Sequence, residues 1–84
     1  AMWRQQEGPT VFQPFVNDTD YFGNDAKMWM LNFRVDDIDA MVAQLRAAGI
    51  EVHMDDLAGE YAEIGRFARL NDPEGNPLEL WEPA

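Results

Sequence analysis

The sequence predicts a small α+β fold, a βαβββ module preceded by an extra N-terminal β-hairpin. Three observations predict it. Residues 36–48 have the apolar spacing of one amphipathic helix, and runs with strand-like alternation stand before it at 28–35 and after it at 50–54. Two further apolar runs, 66–70 and 77–81, flank the turn sequence NDPEGN and predict an antiparallel hairpin. The βαβ order implies a right-handed crossover.

The predicted helix has suitable capping residues at both ends as well as a helical spacing of apolar residues. Asp36 or Asp37 can cap the first turn, and Gly49 can end the helix in the left-handed conformation. The residues spaced by three and four positions form the predicted core stripe, Ile38, Met41, Val42 and Leu45.

The run at 28–35 presents two different faces. One is uniformly apolar and is expected to pack on the helix; it consists of Trp29, Leu31, Phe33 and Val35. The other mixes soft and polar side chains, as a pocket lining would; it consists of Met28, Met30, Asn32 and Arg34. Plain solvent exposure of this second face is the alternative.

The last predicted strand contains one acidic residue among apolar ones. Glu79 lies between Leu78 and Leu80, so in an alternating strand it points away from both leucines. If the leucines face the core, Glu79 faces either water or a cavity.

Residues 1–27 are predicted to form an N-terminal hairpin and a linker, and residues 28–84 the βαβββ module. The hairpin strands are expected at 2–6 and 10–15, with Pro14 indicating an edge or a strand end. The linker, 16–27, is polar, with Tyr21 and Phe22 attaching it to the rest. Its acidic residues do not have the spacing of a twelve-residue calcium loop, which favours a solvated connection. Residues 55–64 are expected to be an irregular, mobile loop.

The amino-acid composition argues against several classes of partner and of catalytic chemistry. The 84 residues carry a net charge of −10, which argues against nucleic acid or an anionic membrane as a partner. The chain has no Cys and no Ser, so it offers no thiolate and no serine triad. His53 is the sole histidine, a residue more often structural or exposed than catalytic. No run approaches a membrane span and no signal peptide is visible, so a cytoplasmic location is the expectation.

Two segments carry a resemblance to a known family. The stretches FRVDDIDAMVAQLRAAGIEV and GRFARLNDPEGNPLELWEP resemble the glyoxalase / bleomycin-resistance / dioxygenase superfamily, also called vicinal oxygen chelate proteins. The resemblance implies a curled mixed sheet with the helix on its convex face, and two such modules enclosing a cavity. Residues 8–14 echo residues 76–82, so residues 1–27 look like the remnant of a preceding module, and the chain resembles the C-terminal two-thirds of a two-module protein.

The resemblance also implies where a metal would be held. The carboxylate on the last strand matches Glu79, a doubtful metal ligand here because the matching first-strand position is Met30. Methionine is a poor ligand for hard or borderline metals. In the N-terminal echo the position equivalent to Glu79 is Val11. Arg69 and Phe67 are expected to face the cavity, where Arg69 could bind an anionic group or neutralise Glu79.

Two functions follow from the resemblance. The first is a glyoxalase-like small-molecule binding protein without a cofactor, whose ligand-binding residues are Met28, Met30, Asn32, Phe67, Arg69, Glu79 and Trp81. No catalytic residue is assigned. The alternative is a metal-dependent lyase, isomerase or dioxygenase using Zn, Fe, Mn or Ni, with the missing ligands supplied by a partner chain. Whether the protein is an enzyme stays open. In either case we expect a homodimer that builds the pocket, with the N-terminal hairpin on its own sheet or swapped to the partner.

Overall fold

A computed structural model describes residues 7–8, 11–23, 27–55 and 63–84 of the chain. In these parts the structure has one helix and a four-stranded mixed sheet. The elements in chain order are β1 (Leu31–Arg34), α1 (Ile38–Ala47), β2 (His53–Asp55), β3 (Gly65–Asn71) and β4 (Pro77–Pro83). The predicted α+β class and the β-α-β-β-β order are confirmed.

The sheet has the strand order β1-β4-β3-β2. The edge strand β1 pairs in parallel with β4, whereas β3 is antiparallel to both β4 and β2. The sheet is not strongly curled, which corrects the expectation of a curled sheet. Twist accumulates from strand to strand, and here two of the four strands are only three and four residues long.

Both ends of the helix are formed by side chains that the sequence favours there. Asp37 is the N-cap, and its Oδ1 accepts a hydrogen bond from the Ala40 amide at 3.0 Å. Glu82 of β4 accepts another from the Ile38 amide at 3.0 Å, which ties the sheet to the helix N-terminus. Gly49 follows the helix with φ 83°, where a side chain would be strained.

The core lies between α1 and the middle of the sheet. Its buried members are Ile38, Val42, Val52, Ala68 and Leu80. Met41 and Leu45 are half-buried against this cluster, so the predicted helix stripe is confirmed. The helix contacts β3 and β4.

The apolar face of β1 does not pack on the helix, contrary to the prediction. Leu31 is 49% and Phe33 38% exposed, because α1 lies over the two central strands and leaves the edge strand uncovered. Trp29 precedes the strand and is also exposed. Only Val35, just after the strand, packs against the core.

The predicted N-terminal hairpin is not present in the part of it that the structure describes. Residues 11–16 have no regular secondary structure, and the other predicted strand, 2–6, lies outside the described residues. Val11 and Phe12 are 71% and 90% exposed, so these two side chains do not pack on the sheet. The predicted mobile loop falls mainly on residues 56–62, also outside the described residues.

In the described ranges, no helix is both long and apolar enough to cross a membrane.

The β3–β4 turn forms through Asp72, as the turn residues predicted. The Asp72 carboxylate accepts hydrogen bonds from the Glu74 amide, the Asn76 amide and the Asn76 side chain at 2.8–2.9 Å. Gly75 has φ 83°, which closes the turn. This turn sets the register that places Glu79 opposite Arg69.

Candidate functional site

The register of the sheet aligns four polar residues across one face. His53 of β2 pairs with Arg69 of β3, Arg69 with Glu79 of β4, and Glu79 with Asn32 of β1. Residues directly opposite each other in a sheet share a face. We call this set, His53, Arg69, Glu79 and Asn32, the polar row. It lies on the face opposite the helix.

Glu79 is the centre of the polar row and is only 4% exposed. Its Oε1 accepts a hydrogen bond from Asn32 Nδ2 at 2.8 Å, and its Oε2 accepts one from the Tyr21 hydroxyl at 2.6 Å. A buried carboxylate needs such partners, because burying a charge without them is costly. The sequence left open whether the Glu79 side chain faces water or a cavity. In the structure it faces a covered, polar interior.

Arg69 supplies the positive charge beside Glu79. Its Nε lies 4.0 Å from Glu79 Oε2 and 4.0 Å from Asp55 Oδ2, so one guanidinium stands between two carboxylates. Its Nη2 donates to the Tyr21 carbonyl oxygen and lies 3.3 Å from the Met30 sulfur. The counter-charge expected from the sequence is thus present, and Asp55 joins it.

Tyr21 is the site residue that the sequence reasoning missed. Its hydroxyl caps Glu79, and the Arg69 guanidinium carbon lies 4.2 Å from the centroid of its ring. Phe15 stacks on the same ring at 5.1 Å, and Phe22 packs against both edge-on. Burial, followed by the hydrogen bond to the Glu79 carboxylate, raises the pKa of Tyr21 above its ordinary value of 10.0. The phenol therefore stays protonated and remains a donor.

Of the remaining predicted ligand-binding residues, the structure brings three to the face of the polar row and leaves one, Met28, outside it. Phe67 and Trp81, two register positions along from the polar row and therefore on the same face, stack on each other at 6.3 Å. Trp81 Nε1 donates to the Ile64 carbonyl oxygen at 3.0 Å. Met30 reaches the row through its contact with Arg69. Met28 is 86% exposed, so the structure does not bring it into the site.

An open depression of about 370 Å³ adjoins the polar row at its His53 end. Phe22, His53 and Arg69 contribute to its lining. Glu79 does not line it, because Tyr21 covers that carboxylate. Any space above Glu79 is thus filled by the chain's own phenol.

The residues that the structure describes do not form a metal site by themselves. In the described parts of the chain, no three His, Asp or Glu side chains come together in a way that could hold a metal ion. Arg69 places a cation between Asp55 and Glu79, and a divalent cation would be repelled from that position. The sulfur of Met30, where the resemblance implies a second ligand, lies 3.3 Å from Arg69 Nη2.

Fold and site together define a βαβββ module with a carboxylate-centred site on the sheet face away from the helix. The chain belongs to the glyoxalase/bleomycin resistance protein/dioxygenase superfamily, which it matches over residues 4–80. The resemblance seen in the sequence is confirmed.

Three relatives illustrate what the chain is similar to. CFP32 of Mycobacterium bovis is 39% identical over 56 residues, 67% of this chain and 21% of CFP32. DnrV, an anthracycline biosynthesis protein of Streptomyces peucetius, is 31% identical over 81 residues, 96% of this chain and 28% of DnrV. The crystal structure of TnmS3, an antibiotic binding protein from Streptomyces sp. CB03234, superposes with a TM-score of 0.53 at 35% identity, covering 64% of this chain and 41% of TnmS3. The chain spans less than half the length of each.

Proposed function

We propose that this chain is a small-molecule binding module that works without a metal ion, with the polar row as the polar part of its site. The observation that carries the proposal is the pairing of Glu79 with Arg69 and Asn32. A carboxylate, a guanidinium and an amide on one face offer a ligand both acceptors and donors. The Phe67–Trp81 stack beside them offers apolar surface.

A binding role fits the charges better than metal-dependent catalysis does. The guanidinium of Arg69 places a positive charge between Glu79 and Asp55, where a divalent cation would have to sit in a metal site. TnmS3 is an antibiotic binding protein, and its resemblance to this chain supports the same class of function.

We propose in addition that the chain forms a homodimer that builds the pocket, and the exposed apolar side chains of the edge strand support the pairing of two copies. β1 is an edge strand, and Leu31 and Phe33 on it are 49% and 38% exposed. Such an edge is a liability in water unless something covers it. A second copy of the chain is the simplest cover.

The binding proposal is tested with 8-anilinonaphthalene-1-sulfonate, whose rings suit the Phe67–Trp81 stack and whose sulfonate suits Arg69. A fluorescence titration should give saturable binding to the wild type. Binding should weaken about tenfold in Arg69→Met, the loss of roughly one charge-assisted hydrogen bond. Arg66→Met is the matched control, because Arg66 is on the same strand but pairs with Asp39 of α1. Equal binding to all three proteins, or none to the wild type, would overturn the proposal.

The assembly is tested separately by sedimentation velocity at micromolar concentration. We expect a dimer for the wild type and a shift toward monomer in Phe33→Asp, since a charge would be placed on the uncovered face of β1. A wild type that sediments as a compact monomer would contradict the dimer while leaving the binding proposal standing.

A further inference from the structure

The ring of Tyr21 occupies the polar row in the way that a bound aromatic molecule would. Its hydroxyl donates to Glu79 at 2.6 Å, the length typical of a phenol bonded to a charged carboxylate. Its face receives the Arg69 guanidinium at 4.2 Å, a cation–π contact. Tyr21 therefore uses both the acceptor of Glu79 and the positive charge of Arg69, as a bound aromatic ligand would.

The chain segment that carries this ring is loosely attached to the sheet. We define residues 11–23 as the Tyr21 segment. In the described structure, its hydrogen bonds to the sheet all involve Tyr21, through the hydroxyl to Glu79 and the carbonyl from Arg69. The other described hydrogen bonds of its backbone amides stay within the segment: Thr19 donates to the Val16 carbonyl, Gly23 to the Asp20 carbonyl and Tyr21 to the Thr19 hydroxyl.

The exposure of the segment argues against a purely structural role. A segment that existed to complete the core would bury its apolar side chains. Instead Val11 is 71%, Phe12 90% and Val16 71% exposed. The aromatic group of Phe15, Tyr21 and Phe22 is its main anchor, and this group lies over the polar row rather than over the core.

We propose that Tyr21 stands in for the ligand: the site accepts a planar aromatic molecule with a phenolic hydroxyl, which displaces the Tyr21 segment. This inference rests on the proposed function and names the ligand class of the same site. The incoming hydroxyl donates to Glu79 Oε2 in place of Tyr21, while Asn32 keeps Oε1. The ring takes the cation–π contact with Arg69.

Displacement makes a quantitative prediction. If the tethered phenol closes the site about 90% of the time, it raises the apparent Kd of a competing phenol about tenfold. Tyr21→Phe keeps the ring but removes the hydroxyl, so the internal competitor is weakened. A free phenol should therefore bind this variant several-fold more tightly than it binds the wild type.

The probes are 2-naphthol and 2-methoxynaphthalene, which share a ring system but differ in the ability to donate a hydrogen bond. Fluorescence titrations at pH 7 should give a Kd for 2-naphthol about tenfold below that for 2-methoxynaphthalene on the wild type, the value of one hydrogen bond to a charged acceptor. For 2-naphthol the Kd should fall further on Tyr21→Phe. Asp39→Asn, on the opposite face, should leave both values unchanged.

A second measurement covers the case in which Tyr21→Phe does not fold. Wild-type protein with isotope-labelled tyrosine should show the Tyr21 ring resonances moving toward solvent-exposed values as 2-naphthol saturates it. Unchanged Tyr21 resonances at saturation, or equal affinity for the two probes, would overturn the inference. If 8-anilinonaphthalene-1-sulfonate still binds through Arg69, the proposed binding function stands although the phenolic ligand class is wrong. If that dye also fails to bind, both the proposed function and the ligand class are wrong.

Discussion

Arg69→Met tests whether the guanidinium compensates the buried carboxylate. In the wild type, Arg69 Nε is 4.0 Å from both Glu79 Oε2 and Asp55 Oδ2. A charge pair at 4 Å near a protein surface gains about 4 kcal/mol of Coulomb energy, offset by desolvation. Methionine fills much of the same volume, so the variant isolates the charge rather than creating a large cavity.

The burial of the three side chains sets the net magnitude. Those of Arg69, Asp55 and Glu79 are 27%, 22% and 5% exposed. Breaking a fully buried pair costs about 3–5 kcal/mol and an exposed pair about 0.2–1 kcal/mol. For this intermediate case we expect a loss of about 2–3 kcal/mol, most of it from leaving Glu79 without a counter-charge.

Urea denaturation at one fixed protein concentration is the assay. With an m-value of about 1 kcal/mol/M, the Arg69→Met midpoint should fall by about 2–3 M, and Arg69→Lys should lose less because it keeps the charge. Arg66→Met is the control: Arg66 pairs with Asp39, but their side chains are 50% and 70% exposed, so its midpoint should barely move. Equal midpoints for Arg69→Met and Arg66→Met would refute the reasoning.

Three further outcomes are expected. Leu45→Ala should cost about 2 kcal/mol in urea denaturation, the low end for leucine truncation, because Leu45 is half-buried against the core; an unchanged midpoint would contradict the packing. Hydrogen bonds led by that from the Asn76 side chain lower the pKa of Asp72 below 3.8, so its stabilisation is present above that value and lost as pH falls through the lowered pKa. Asp72→Ala should therefore melt earlier than the wild type at pH 7 but not in strong acid, and a constant difference would argue against it. Burial is the main cause that raises the pKa of Tyr21 above 10.0, so its contribution is complete below pH 10 and is lost as the pH rises from 10 toward the raised pKa. Above pH 10 the stability of Tyr21→Phe should therefore fall less steeply than that of the wild type.

The local elements followed from the sequence because short-range chemistry determines them. Asp37 and Gly49 bound the helix as its capping preferences indicate, and Asp72 with Gly75 closes the β3–β4 turn. Once that turn fixes the register, alternation alone puts Glu79 and Arg69 on one face.

The features that the sequence did not predict depend on long-range contacts. Tyr21 bonds to a residue 58 positions away, and nothing in its polar surroundings specifies that partner. The signal that could have indicated it is the occurrence of Phe15, Tyr21 and Phe22 in an otherwise polar stretch. The exposure of Leu31 was missed for a related reason, since alternation shows that a strand has an apolar face but not whether the helix reaches it.

Elemental analysis tests the central claim most directly, namely that Arg69 and not a metal ion neutralises the carboxylate centre of the site. Wild-type protein and Glu79→Gln would be incubated with Zn²⁺, Fe²⁺, Mn²⁺ or Ni²⁺, dialysed and analysed for bound metal. We expect no stoichiometric metal in either protein. One metal ion per chain or per dimer in the wild type, absent from Glu79→Gln, would contradict it.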